Sequence, residues 1–206
     1  MQKIIVLAFC ASILSGCFST APKSATKWTI DGFKTVAPME CSSRAQDATN
    51  SAAPIVRLAS ITVRAPYDTR HFVVLRPDGT IAFDPYNEFA AQPASLIRSS
   101  AEKAVRDSGL FSYVIAHNSV ANASCTLELV VTRLAIDCRE KGSKTANVEL
   151  SLLLTSSRAI FAESAASAAI PISNEQMDFT AAFSQAFSQA VAKALAQMKN
   201  ATENIK

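Results

Sequence analysis

The sequence predicts an α+β domain, a mixed and mostly antiparallel sheet with two amphipathic helices packed on one face. Three observations lead there. Alternating apolar and polar residues mark strands in stretches from Ile55 to Phe83 and from Thr126 to Glu163. Apolar residues recur at helical spacing after Pro93 and again after Asp178. The order is therefore strands, helix, strands, helix, and each helical stripe has to bury itself against a sheet. Composition agrees: 206 residues with 49% apolar and 18% charged content and only 5 Gly describe a folded chain, neither disordered nor fibrous. The net charge is +3, with charges scattered from Lys23 to Lys206. No basic stripe forms, so no nucleic-acid partner is expected.

Residues 1–16 read as a signal peptide. Lys3 precedes the apolar run Ile4 to Leu14, which is too short for the roughly 20 residues of a membrane-spanning helix. Leu14-Ser15-Gly16-Cys17 resembles the bacterial lipobox, which implies acylation of the Cys17 thiol and cleavage before it. Each buried methylene adds about 0.8 kcal/mol, so two or three acyl chains hold a protein on a membrane without a spanning helix. Phe18 stands where an Asp resembles the inner-membrane retention signal of enteric bacteria, so the outer membrane, periplasmic face, is expected. Residues 17–27 then form a lipidated tether of Ser, Thr, Ala, Pro and Lys, and 28–206 a single periplasmic domain.

Within that domain, Trp28 to Phe33 reads as a short strand and Met39 to Pro54 as an aperiodic loop. Ile55 to Val63 reads as one strand whose apolar face carries Ile55, Ile61 and Val63. Pro77-Asp78-Gly79 closes a hairpin between Phe72–Leu75 and Ile81–Phe83, because Pro presets a turn φ and Gly accepts a positive one. An aromatic loop with Phe83, Tyr86 and Phe89 follows. Pro93 opens a helix that carries Leu96, Ile97, Ala101, Ala104 and Val105 and leaves through Gly109. Leu110 to Ile115 is a short strand. Thr126–Asp137, Val148–Leu154 and Ile160–Glu163 form an antiparallel meander. Asp178 caps a closing helix whose stripe is Phe183, Ala186, Phe187, Ala190, Val191, Ala194, Leu195 and Met198.

Of five cysteines, Cys10 leaves with the signal and Cys17 carries lipid, so Cys41, Cys125 and Cys138 remain in an oxidising compartment. Cys125 and Cys138 end one long strand. At about 3.3 Å per residue they lie beyond the roughly 7 Å a disulfide allows, so Cys41 with either is the expected pair. The spacings match no zinc pattern and His71 and His117 are isolated, so neither a metal site nor a cofactor is expected. No nucleophile elbow, phosphate loop, dinucleotide fingerprint or metalloprotease motif occurs, and no enzyme is expected. Phe83, Tyr86 and Phe89 are the candidates for partner contact, since aromatic side chains supply large area at interfaces, with seating the loop on the core as the competing role.

The stretch with Arg64-Ala65-Pro66-Tyr67, Asp68-Thr69-Arg70-His71-Phe72-Val73, the hairpin, Glu88-Phe89-Ala90 and Asp107-Ser108-Gly109-Leu110-Phe111 resembles the ABC-type transport auxiliary lipoproteins, the PqiC and YmbA-like family. Lipobox, early strand, long strand from Leu127 and terminal helix fall in matching order, although many relatives carry Trp where Phe89 stands. The resemblance implies a fold similar to the amino-terminal domain of TolB and an accessory, non-enzymatic role in intermembrane lipid transport. Its implied partners are the membrane, an MCE-domain protein of PqiB type and, by analogy with family rings, further copies of the chain. The alternatives are a self-contained lipid carrier and a tethered regulator of an envelope enzyme.

Overall fold

A computed structural model describes residues 24–30, 53–156, 159–173 and 179–203, and backbone alone for 200–203. The signal, Cys17, Cys41, the far end of the first predicted strand and Asp178 lie outside the described residues. In chain order the elements are β1 (Thr26–Trp28), β2 (Ile55–Leu58), β3 (Thr62–Val63), β4 (His71–Leu75), β5 (Ile81–Phe89), α1 (Pro93–Asp107), β6 (Tyr113–Ile115), β7 (Cys125–Asp137), β8 (Thr145–Ser156), β9 (Ala159–Pro171) and α2 (Phe179–Glu203). Thr26 and Lys27, tether residues by composition, belong to β1 because their backbone pairs with Asn87 and Glu88.

The long strand β7 organises the sheet. One of its edges is taken by β8 in an antiparallel ladder from Thr126↔Thr155 to Asp137↔Thr145, and β9 extends the meander from β8. Its other edge is shared by three short parallel strands placed end to end: β2 at Cys125–Leu127, β3 at Val130 and Val131, β4 at Ile136 and Asp137. Beyond β4 lie β5 (antiparallel) and β1 (parallel to β5), and beyond β2 lies β6 (parallel). The expected α+β architecture is thus present, as an open mixed sheet whose longest ladders are antiparallel and whose short strands add in parallel.

The predicted single strand from Ile55 to Val63 is broken at Ala59–Ile61, and its predicted apolar face is corrected. Val56 and Leu58 are buried, then Ile61 and Val63, while Ile55 is exposed. The interruption adds one residue to the alternation, which flips the side-chain parity between β2 and β3. Ala59 still donates its N–H to the Leu127 carbonyl (2.8 Å) and Arg64 to that of Val131 (2.9 Å), so both pieces hold the β7 edge.

Both helices bury their stripes in one cluster on one side of the sheet. On α1 the buried residues include Ile97, Ala101 and Val105, and the chain leaves it through Gly109 at φ +66°. On α2 every residue of the predicted stripe is buried. That helix packs chiefly on β9 and β8. Small residues make the approach close: Ala162, Ser164 and Ala168 on β9, Ala186, Ala190 and Ala194 on α2. Phe183 and Phe187, almost fully buried, each contribute about 1.5–3 kcal/mol by leaving water. The opposite face of the meander carries an ion pair, Arg133 on β7 with Glu149 directly across on β8 (2.5 Å).

Cys125 and Cys138 are free thiols. Burial pushes both up from the ordinary thiol range, and the predicted pairing with Cys41 lies outside the described residues.

Candidate functional site

The hairpin turn forms as its residues dictate. Arg76 donates its N–H to the Thr80 carbonyl (2.9 Å), and Gly79, at φ +81°, donates to the Arg76 carbonyl (3.0 Å). Asp78 closes it by accepting from Thr80 Oγ1 (2.7 Å) and Thr80 N (2.9 Å), which holds its carboxyl below the usual range.

The turn delivers β5, the strand on which the candidate aromatics sit. Ile81 lies opposite Leu75 and Phe83 opposite Val73. Directly opposed residues share a face, so Ile81 and Phe83 continue the small cluster of Val73, Leu75 and Ala135 under Tyr67, on the side away from the helices. Then the ladder slips. The next paired residue on β5 is Glu88, opposite His71, so residues 84–87 form a bulge without partners on β4. Asp84 locks the bulge: its carboxylate accepts from the N–H groups of Tyr86 (2.8 Å) and Asn87 (3.1 Å) and from Asn87 Nδ2 (2.9 Å). Asn87 in turn accepts from the indole Nε1 of Trp28 (2.9 Å), which pins β1 beside it. Past the bulge, Glu88 is paired with Arg70 (2.8 Å), and Arg70 Nε donates to the Phe89 carbonyl (3.1 Å).

The structure separates the three predicted contact residues. Phe83 (53% exposed) and Tyr86 (60%) are on the surface. Phe89 is 2% exposed and packs on Phe72 (centroids 4.6 Å) and Phe183 (5.6 Å), so as a contact candidate it is corrected to a core residue. The stretch read as an aromatic loop is the second half of a strand, because β1 and β4 both pair with it. Ile81 was missed; its signal was the i, i+2 relation to Phe83 directly after a hairpin turn.

His71 lies exposed at the start of β4, and His117 Nδ1 lies 3.0 Å from Arg98 Nη1. Neither ring hydrogen-bonds a serine or a carboxylate among the described residues. Nor do those residues bring three or more His, Cys, Asp or Glu together at metal-binding distance. Among them no helix is long and apolar enough to cross a membrane. One depression of about 350 Å³, lined by Asp137, Arg139, Glu140, Ser143 and Thr145, is polar and open. The space between sheet and helices is filled by side chains such as Phe72, Leu127, Leu150, Leu152 and Phe187.

No protein-family model matches the chain, and no curated protein matches it by sequence. The fold, however, is shared. The XCC0632 protein of Xanthomonas campestris, described as DUF330, superposes with a TM-score of 0.55 at 21% identity, over 70% of this chain and 80% of that one. A second solved structure, described only as an uncharacterized protein, reaches 0.57 at 10% identity, over 89% of this chain and 99% of its own. Lipoprotein GNA1162 from Neisseria meningitidis matches at 0.40 and 10% identity, over 71% of this chain and 98% of that one, too loosely to bear on this chain's role.

Proposed function

We propose that the chain is a non-enzymatic lipoprotein, held through acyl chains on Cys17 at the periplasmic face of the outer membrane. There it serves as an accessory component of an MCE/ABC-type intermembrane lipid transport system and docks the periplasmic tunnel. The observation that carries this reading is the joint presence of Leu14-Ser15-Gly16-Cys17 and a domain with the fold of a DUF330 protein, the designation of the PqiC and YmbA-like family. The filled space between sheet and helices favours docking over carriage of lipid inside the fold. The exposed Phe83 and Tyr86 offer contact area.

The test is a pull-down of the intact, membrane-extracted protein, with crosslinking in whole cells and the mature mass read from the same sample. An acylated Cys17 with a co-purifying MCE-domain protein is the expected result. An acylated chain that captures no such protein refutes the transport role, and bound lipid in its native mass spectrum would then assign it to carriage.

A further inference from the structure

We propose that the β5 surface formed by Ile81, Phe83 and Tyr86 lies against the headgroup region of the membrane that holds the chain. This rests on the Cys17 anchor proposed above. The argument begins with where the described fold starts. Thr26, the first residue of β1, is paired with Asn87, the neighbour of Tyr86 on the bulge. Eight residues, 18–25, separate Cys17 from Thr26. Fully extended, that stretch spans at most about 30 Å, so the bulge stays within about that distance of Cys17.

Among the described residues two other exposed apolar groups occur, Ile160 and Phe161 on β9 and the facing pair Ile55 and Tyr113 on β2 and β6 beside Cys125 at the start of β7, and the point where the chain enters the fold favours the β5 group over both. Ile160 is opposite Thr155, which is opposite Thr126 near the start of β7, whereas β4 and β5 sit at the far end of β7 by Asp137. Eleven residue steps of strand, about 35 Å, lie between those ends. The β5 group is the one beside the chain's entry.

Its chemistry fits a headgroup layer. Tyr and Phe at the level of lipid headgroups place an apolar ring toward the acyl chains and, for Tyr, a hydroxyl in the wet layer. Arg76 in the adjoining turn and Lys27 on β1 are both exposed and complement anionic lipid. Of the carboxylates beside it, Asp78 and Asp84 are occupied by hydrogen bonds within their own turns and Glu88 is paired with Arg70. The patch is too small to bind a membrane alone; once the anchor supplies proximity, it sets which side of the domain faces the lipid.

The experiment uses the full acylated chain in vesicles of phosphatidylethanolamine and phosphatidylglycerol, with and without bromine on the acyl chains. Trp28 is the chain's single Trp and provides the background. Phe83→Trp and Tyr86→Trp each place an indole on the patch, and Phe161→Trp places one on the competing β9 surface. Emission from positions 83 and 86 should shift to shorter wavelength and be quenched by bromine severalfold more than emission from position 161. Equal quenching at all three positions, or none at 83 and 86, in a chain whose mass shows an acylated Cys17 overturns the proposal and leaves the anchor intact. An unmodified Cys17 removes the anchor and this proposal together. Emission at 83 and 86 that shifts only as copies crowd the vesicle, without quenching, assigns the patch to contact between copies and likewise overturns it.

Discussion

Truncating Phe89 decides which aromatic of β5 belongs to the core. Its ring is 2% exposed and meets Phe72 at 4.6 Å and Phe183 at 5.6 Å, while its backbone bonds to Arg70 survive the change. Removing such a ring forfeits its transfer free energy and leaves a cavity walled by two other rings. Phe89→Ala should therefore cost about 3–5 kcal/mol, of which the two ring contacts supply about 0.5–1.5 each. With a urea dependence of about 2 kcal/mol per molar, the unfolding midpoint drops by roughly 2 M. Phe83→Ala, on a half-exposed ring, should stay within about 0.5 kcal/mol of the parent, a shift of about 0.3 M or less. The assay is equilibrium urea unfolding followed by far-ultraviolet circular dichroism and by Trp28 emission, whose coincidence licenses the two-state treatment. A loss below about 1 kcal/mol at Phe89, or an equal loss at Phe83, would refute the division of β5 into a buried end and an exposed one.

Three further outcomes follow from the same geometry. Asn87→Ala deprives the Trp28 indole of its acceptor and Asp84 of a donor, so stability should fall by about 1 kcal/mol and Trp28 emission should move to longer wavelength as β1 loosens. Burial keeps Cys125 and Cys138 protonated at neutral pH, and alkylation of the folded chain should be slow at both and slowest at the more buried Cys125, then complete in urea, as read by peptide mass. Arg139 holds the Asp137 carboxyl below the usual range, chiefly by its hydrogen bond. A depressed folded value adds stability above the unfolded value of about 3.9 and loses it as pH falls through the folded one. The urea midpoint should accordingly fall below about pH 4, and less steeply in Asp137→Asn.

Much of this fold was legible because its elements announce themselves locally. The α2 stripe from Phe183 to Met198 repeats at helical spacing without a gap, and all of it is buried. Gly79 and Gly109 stand where the chain needs a positive φ. What escaped depends on partners distant in sequence. Asp84-Pro85-Tyr86-Asn87 has loop composition, and only pairing with β1 and β4 on either side of the bulge makes it strand. The parity flip between Leu58 and Ile61 is invisible to an alternation count, since both phases look equally regular. Strand β9 runs on to Pro171 through Ala and Ser of low strand propensity, and its length is set by β8 and by a helix that needs small residues beneath it. At the candidate surface, aromatic identity singled out Phe83, Tyr86 and Phe89. Which of them faces outward was decided by the bulge.

The shared edge of β7 has a consequence for how the chain comes together. Strands β2, β3 and β4 leave the ribosome well before the strand that receives them; Val56 pairs with Cys125, 69 residues later. By contrast β7, β8 and β9 are joined by short turns and close on one another quickly. The carboxy-terminal half is thus the natural nucleus. Val56, Leu58, Val63 and Phe72 must wait, unpaired, for its edge to appear. During that interval three sticky segments are offered to any neighbouring chain, and they then have to seat in order along a single ladder.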